Sequence, residues 1–152
     1  MRILAIDPGT TKSAYLIWDG ETIHAKGIAD NYALRTMLKS RDLMPYDAVA
    51  IEMVACYGMR VGAEVFETCV WIGRFQESVG DVPIQKVYRA QVKKHLKCGS
   101  GKDKHVRAAL IKRFGEVGTK KKPGKLFGIS SHLWAALGVA VYAAESGFFF
   151  EG

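Results

Sequence analysis

Several things are scarce in this chain, and each scarcity closes a door. Three cysteines, Cys56, Cys69 and Cys98, occur among 152 residues, with no Cys-x-x-Cys spacing and one left over from any pairing. A disulfide framework and a thiolate zinc site are excluded, and the expectation is an intracellular, cytoplasmic protein with reduced thiols. No apolar run is long enough to span a bilayer, which needs ~20 residues. The longest, Leu133 to Ala144, is broken by Gly138 and several alanines and reads as a core helix. A secretory leader is not expected either, because Asp7 interrupts the first apolar stretch. Acids are outnumbered by bases, 15 against 22, giving a net charge of +7. With 49% apolar residues the chain is not disordered, and its length is that of one domain, residues 1–152, able to bury a core.

What is present is an acid at the end of each of two apolar strands. Ile3-Leu4-Ala5-Ile6 runs into Asp7, followed by the turn Pro8-Gly9-Thr10-Thr11; Ala48-Val49-Ala50-Ile51 runs into Glu52. Two such strands lying side by side place two carboxylates together, an arrangement that costs free energy unless a cation lies between them. Strand ends also carry acids as caps and turn formers, so a third donor matters. His132 stands at the start of the last helix, where Ser130 or Ser131 is placed to cap it. The small residues Ala135, Ala136 and Ala143 share its face with Val139 and let the helix approach the sheet closely. His132 is then either a metal ligand or a helix-end residue with no metal. A basic body around an acidic centre suits a polyanionic substrate.

The pattern of elements is β-β-β-α-β-α-β-α-α-α, an α/β layer built on a mixed five-stranded sheet. Strands are expected over residues 2–6, 13–18, 22–27, 47–53 and 83–88, with a hairpin at Asp19-Gly20. Helices are expected over 31–40, 62–79, 90–96, 102–114 and 131–145. In the second helix Val65, Phe66, Cys69, Val70 and Gly73 form the expected inner stripe. Gly118-Thr119-Lys120-Lys121-Lys122-Pro123-Gly124-Lys125 reads as an exposed loop, with Pro and Gly suited to a mobile arm. There is no internal repeat.

Taken together, Asp7-Pro8-Gly9-Thr10-Thr11, Glu52, Gln91-Val92-Lys93, Gly99-Ser100-Gly101-Lys102-Asp103-Lys104 and the closing Ala135-Ala136-Leu137-Gly138-Val139-Ala140 resemble RuvC-type Holliday-junction endonucleases. The resemblance covers nearly the whole chain in order, and the absence of extra domains is most like phage-encoded members. It implies an RNase H-like fold with strand order 3-2-1-4-5 and strand 2 antiparallel, flanked by helices. It also implies a homodimer that binds four-way DNA junctions and nicks them, with two Mg²⁺ or Mn²⁺ ions held by carboxylates. By position Asp7 would bridge both ions, Glu52 would hold one, and His132 would be a further ligand. The family's usual next Asp is Ala135 here, so the second ion lacks a ligand; Asp103 and Glu145 are the substitutes within the chain, Glu145 being more than three turns away.

Lys93 and Lys104 match family lysines near the scissile phosphate, and Lys104 opens a helix after a Gly-rich turn, a place that favours an anion. Lys102, Lys120, Lys121, Lys122 and Lys125 would contact DNA backbone without reading sequence. In the loop after Glu52, Tyr57 is the candidate to stack at the junction centre, with Arg60 beside it; Tyr57 packing on its own domain is the alternative. The helix over 62–79 makes the dimer contact in relatives, which points to Phe66, Val70 and Phe75. Two rivals stand beside this reading. A catalytically inert junction-binding protein is favoured by Ala135. An actin-like or sugar-kinase ATP-binding domain fits the Asp-x-Gly-Thr-Thr start but requires two related domains and a second phosphate loop.

Overall fold

A computed structural model describes residues 1–43 and 45–150. Ten elements follow one another as β1 (Ile3–Asp7), β2 (Lys12–Trp18), β3 (Ile23–Asp30), α1 (Asn31–Ser40), β4 (Ala48–Met53), α2 (Ala63–Ser78), β5 (Ile84–Tyr88), α3 (Arg89–His95), α4 (Asp103–Phe114) and α5 (Leu133–Glu145). The sheet has the order β3-β2-β1-β4-β5, with β2 antiparallel to both its neighbours and β1, β4 and β5 parallel. This is the RNase H-like arrangement expected from the sequence. Among the described residues no helix is long and apolar enough to cross a membrane.

Strand alternation divides the core into two layers. Ile3 and Ala5 of β1, with Ala48 and Ala50 of β4, face a cluster built on α5. Leu4 and Ile6, with Val49 and Ile51, face α1 and α2. Helix α5 is apolar nearly all round because it is buried nearly all round: Ala136, Leu137, Val139, Ala140, Val141 and Ala143 are fully enclosed. Leu137, Val139 and Val141 alone contribute about 1.5–3 kcal/mol each. Gly138 lets it lie against α3, since a Cβ there would sit 3.0 Å from Val92 Cγ1.

Four expectations are corrected. β3 continues to Asp30, three residues past the expected end, because it pairs with β2 as far as Lys12↔Asp30. The turn before it spans four residues: Asp19 closes it by accepting from the Glu21 and Thr22 N–H groups at 2.8 and 2.7 Å. The inner stripe of α2 is Thr68, Trp71, Ile72 and Phe75, whereas Phe66, Val70 and Gly73 face outward. α2 is apolar on several sides, and Trp71, the largest side chain of the helix, is buried together with Ile72 and Phe75. Phe75 is therefore core and no interface candidate. The lysine loop is a closed turn, not an arm. Thr119 and Lys122 exchange two backbone hydrogen bonds of 3.1 Å, and the Gly124 N–H donates to the Val117 carbonyl at 3.0 Å. A Cβ at Gly124 would run into the Glu116 carbonyl.

Candidate metal and nucleic-acid site

The site is a product of register. β1 and β4 run parallel with Ile6 opposite Ile51, so the next residues, Asp7 and Glu52, emerge beside one another at the same sheet end. Both follow the alternation of Ala5 and Ala50 and point toward the α5 layer. From that layer His132 arrives: its Nδ1 lies 3.0 Å from Asp7 Oδ2, across 125 residues of chain. Its side chain remains largely exposed, while Asp7 is only 7% exposed. Neither serine caps α5. The helix begins at Leu133 with His132 as the residue before it, and Ser131 takes a left-handed φ of 51° that swings the chain into the helix and the imidazole onto Asp7.

Burial is the main reason that the Asp7 carboxyl is pushed up from 3.8 to about 9. The neighbouring Glu52 carboxyl raises it further, by hydrogen bonding and by like charge, and Asp103 adds to this; Arg89 alone opposes. A proton on Asp7 thus supplies the neutralisation that a cation would otherwise supply.

Arg89 was not legible as a site residue, yet it joins two acids. Its Nε donates to Glu52 Oε1 at 3.2 Å and its Nη1 to Asp103 Oδ1 at 2.8 Å. It stands one residue past the end of β5, where the same strand-end logic that selects Asp7 and Glu52 would have found it. Glu52, Arg89, Asp103, Arg107, His132 and Ala135 line one cleft of about 360 Å³. Arg107 lies four residues beyond Asp103 on α4, with its guanidinium 5.7 Å from the Trp134 ring centre. The cations of the cleft wall are thus Arg89 and Arg107. Lys93 and Lys104 sit on the same helices, α3 and α4, but are not among the lining residues, and Lys102, beside Asp103, is exposed.

The loop carrying Asp7 is held from behind. The Gly9 N–H donates to Ser13 Oγ at 3.1 Å, the Ser13 hydroxyl to Asn31 Oδ1 at 2.6 Å, and Asn31 Nδ2 to the Gly9 carbonyl at 2.9 Å. Ser13 and Asn31 are buried, and every polar group of this ring finds a partner. Gly9 is required because a Cβ would meet the Lys12 carbonyl.

Among the described residues, no three His, Cys, Asp or Glu side chains already converge as a metal cage. Glu52 is drawn toward Arg89 and His132 toward Asp7. The donor chemistry nevertheless fits one hard cation, with carboxylate oxygens from Asp7 and Glu52 and a ring nitrogen from His132. It does not fit a second ion in the same way. Ala135 presents a methyl group to the cleft, and Glu145 is engaged elsewhere, by Arg113 at 2.6 Å and His95 at 2.7 Å.

Beyond the cleft, the chain after β4 makes a tight turn closed by the Met59 N–H on the Cys56 carbonyl at 2.8 Å. Tyr57 and Gly58 occupy its centre with φ of 48° and 79°. Tyr57 is 73% exposed at the apex, so it does not pack on its own domain, and Arg60 beside it is exposed. Lys120, Lys121, Lys122 and Lys125 are exposed on the closed loop.

No protein-family model and no curated protein sequence matches this chain. Solved structures do. The Thermus thermophilus RuvC in complex with Holliday junction substrate superposes with a TM-score of 0.74 at 18% identity, covering 99% of this chain and 96% of that one. A second Thermus thermophilus RuvC structure gives 0.68 at 20% identity, covering 95% and 93%. The chain has the RuvC-type fold over essentially its whole length.

Proposed function

We propose that this RuvC-fold chain is a metal-dependent, structure-selective endonuclease that binds four-way and related branched DNA as a homodimer and nicks it. The observation that supports the reading is that Asp7 and Glu52 emerge from neighbouring parallel strands at one sheet end, with His132 Nδ1 3.0 Å from Asp7. When bound, Mg²⁺ or Mn²⁺ supplies activation of water and stabilisation of the leaving oxygen. Asp7 and Glu52 would hold it through oxygen, and His132 through Nδ1. The residues around them handle the rest. Arg89 and Arg107 place positive charge on the cleft wall, where a phosphodiester must lie to be cut. Lys93, Lys102 and Lys104 extend that charge along α3 and α4. The closed loop bearing Lys120, Lys121, Lys122 and Lys125 tracks the sugar–phosphate backbone. Tyr57, with Arg60, is presented for stacking on an unpaired base. The outward face of α2, with Phe66 and Val70 exposed, is the surface assigned to the second copy.

A second reading keeps the DNA contacts and removes the chemistry: an inert junction-binding protein, favoured by the methyl group at Ala135. A labelled four-way junction incubated with Mg²⁺ or Mn²⁺ separates them. The expected result is paired nicking by the wild type and binding without nicking by Asp7→Asn. Binding without nicking by the wild type in both metals would establish the inert module instead.

A further inference from the structure

The acidic site contains its own cation. Arg89 is the guanidinium whose charge acts on Asp7, Glu52 and Asp103 together. It touches the latter two directly, at 3.2 and 2.8 Å. Asp103 itself is largely exposed, but its bond to Nη1 leaves Arg89 braced from α4 while Nε reaches Glu52 across from β4. The remaining lining holds no further carboxylate: Ala135 contributes a methyl group, beside His132, Ser131, Trp134 and Arg107. Charge decides what this arrangement can hold. With all three carboxylates ionised and Arg89 positive, the cluster carries two net negative charges, which one divalent ion cancels. A second ion would leave the cluster as positive as it began negative, with no further carboxylate to bind it.

We propose that the Arg89 guanidinium, braced by Asp103, stands as the second cation of this site, so that the chain works with a single divalent ion plus Arg89. The inference rests on the proposed metal-dependent reading and narrows it. Arg89 has a planar, always-charged head that can keep Glu52 through Nε and still offer N–H groups to a phosphate oxygen. The ion, in turn, must compete with Arg89 for Glu52.

The test is a count of Mn²⁺ ions on the full-length protein by calorimetry and by loss of the free-ion paramagnetic resonance signal. Asp7→Asn serves as the blank for surface sites. One Asp7-dependent ion per protomer is the expected result. Two ions would overturn the role of Arg89 and leave the proposed nuclease standing. No ion would remove the metal reading itself and this inference with it. Arg89→Gln gives the second readout. Freed from its competitor and from a nearby like charge, Glu52 should bind Mn²⁺ roughly tenfold more tightly, while nicking at saturating Mn²⁺ falls. A variant with unchanged Mn²⁺ affinity would show that Arg89 merely props the loop and would also overturn the proposal. The Arg89 side chain is 44% exposed, and a cooperative thermal transition without metal confirms that the variant is folded.

Discussion

Replacing Asp7 by Asn should make the metal-free protein more stable, and the effect should grow with pH. Asp7 is buried, and its carboxyl lies at about 9 in the fold against 3.8 in the open chain. The sign follows from proton counting. Below pH ~4 both states hold the proton and the fold loses nothing. As pH rises, the unfolded chain releases the proton while the fold retains it, so stability falls by ~1.4 kcal/mol per unit until the pH passes about 9. At pH 7 the solution stands roughly three units above the unfolded value, an upper bound of ~4 kcal/mol; small shifts of Arg89 and entry of water reduce this to about 2–4 kcal/mol. Asn carries no charge at any pH and still donates a hydrogen bond where the acid did. For a chain of this size each kcal/mol moves the midpoint by about 2–4 °C, so the variant should melt about 5–15 °C higher at pH 7–8 in EDTA. Thermal scans from pH 5 to 9 on both proteins check it, with the wild-type curve falling toward alkali and the variant's flat over the same range. Adding Mn²⁺ should raise the wild-type midpoint and leave the variant unmoved. Parallel pH profiles, or a less stable variant at pH 8, would refute the claim that two acids are forced together here.

Three further outcomes are expected. Changing Lys120, Lys121 and Lys122 to Ala together should reduce the slope of log affinity against log salt for junction DNA by about 3 and leave melting unchanged, because these side chains are exposed on a closed turn. Asn31→Ala removes two partners from the buried ring behind Asp7 and should cost about 2–3 kcal/mol in a urea melt, with nicking reduced through displacement of the Gly9 turn. Tyr57→Ala should weaken binding to a four-way junction by about 1–3 kcal/mol in a gel-shift titration. Its Mn²⁺ binding should remain that of the wild type, since the ring lies outside the cleft.

The sheet was legible because its signals are local. Continuous apolar runs mark β1 and β4, and an acid closes each; with β2 between two turns, the strand order follows from the family resemblance. The pairing of Asp7 with His132 was legible through the small residues of α5. What could not be read was anything decided by competition between comparable side chains. In α2, two apolar faces contend, and only packing shows that Trp71 and Phe75 win. The capping of α5 was misread because a left-handed Ser131 supplies the turn through its backbone, leaving no side-chain bond to anticipate. Arg89, the first residue after β5, was not legible because an arginine's partners on β4 and α4 exist only once the sheet has formed.

The bond between Asp7 and His132 joins the opening strand to the helix that closes the described fold. A ribosome making this chain therefore displays the first carboxylate long before the imidazole that completes the cluster has been translated. Until α5 slides into its slot on the sheet, a nascent polypeptide owns both acids but has no imidazole beside them. The cluster is completed late in synthesis, with the docking of one small-residue helix.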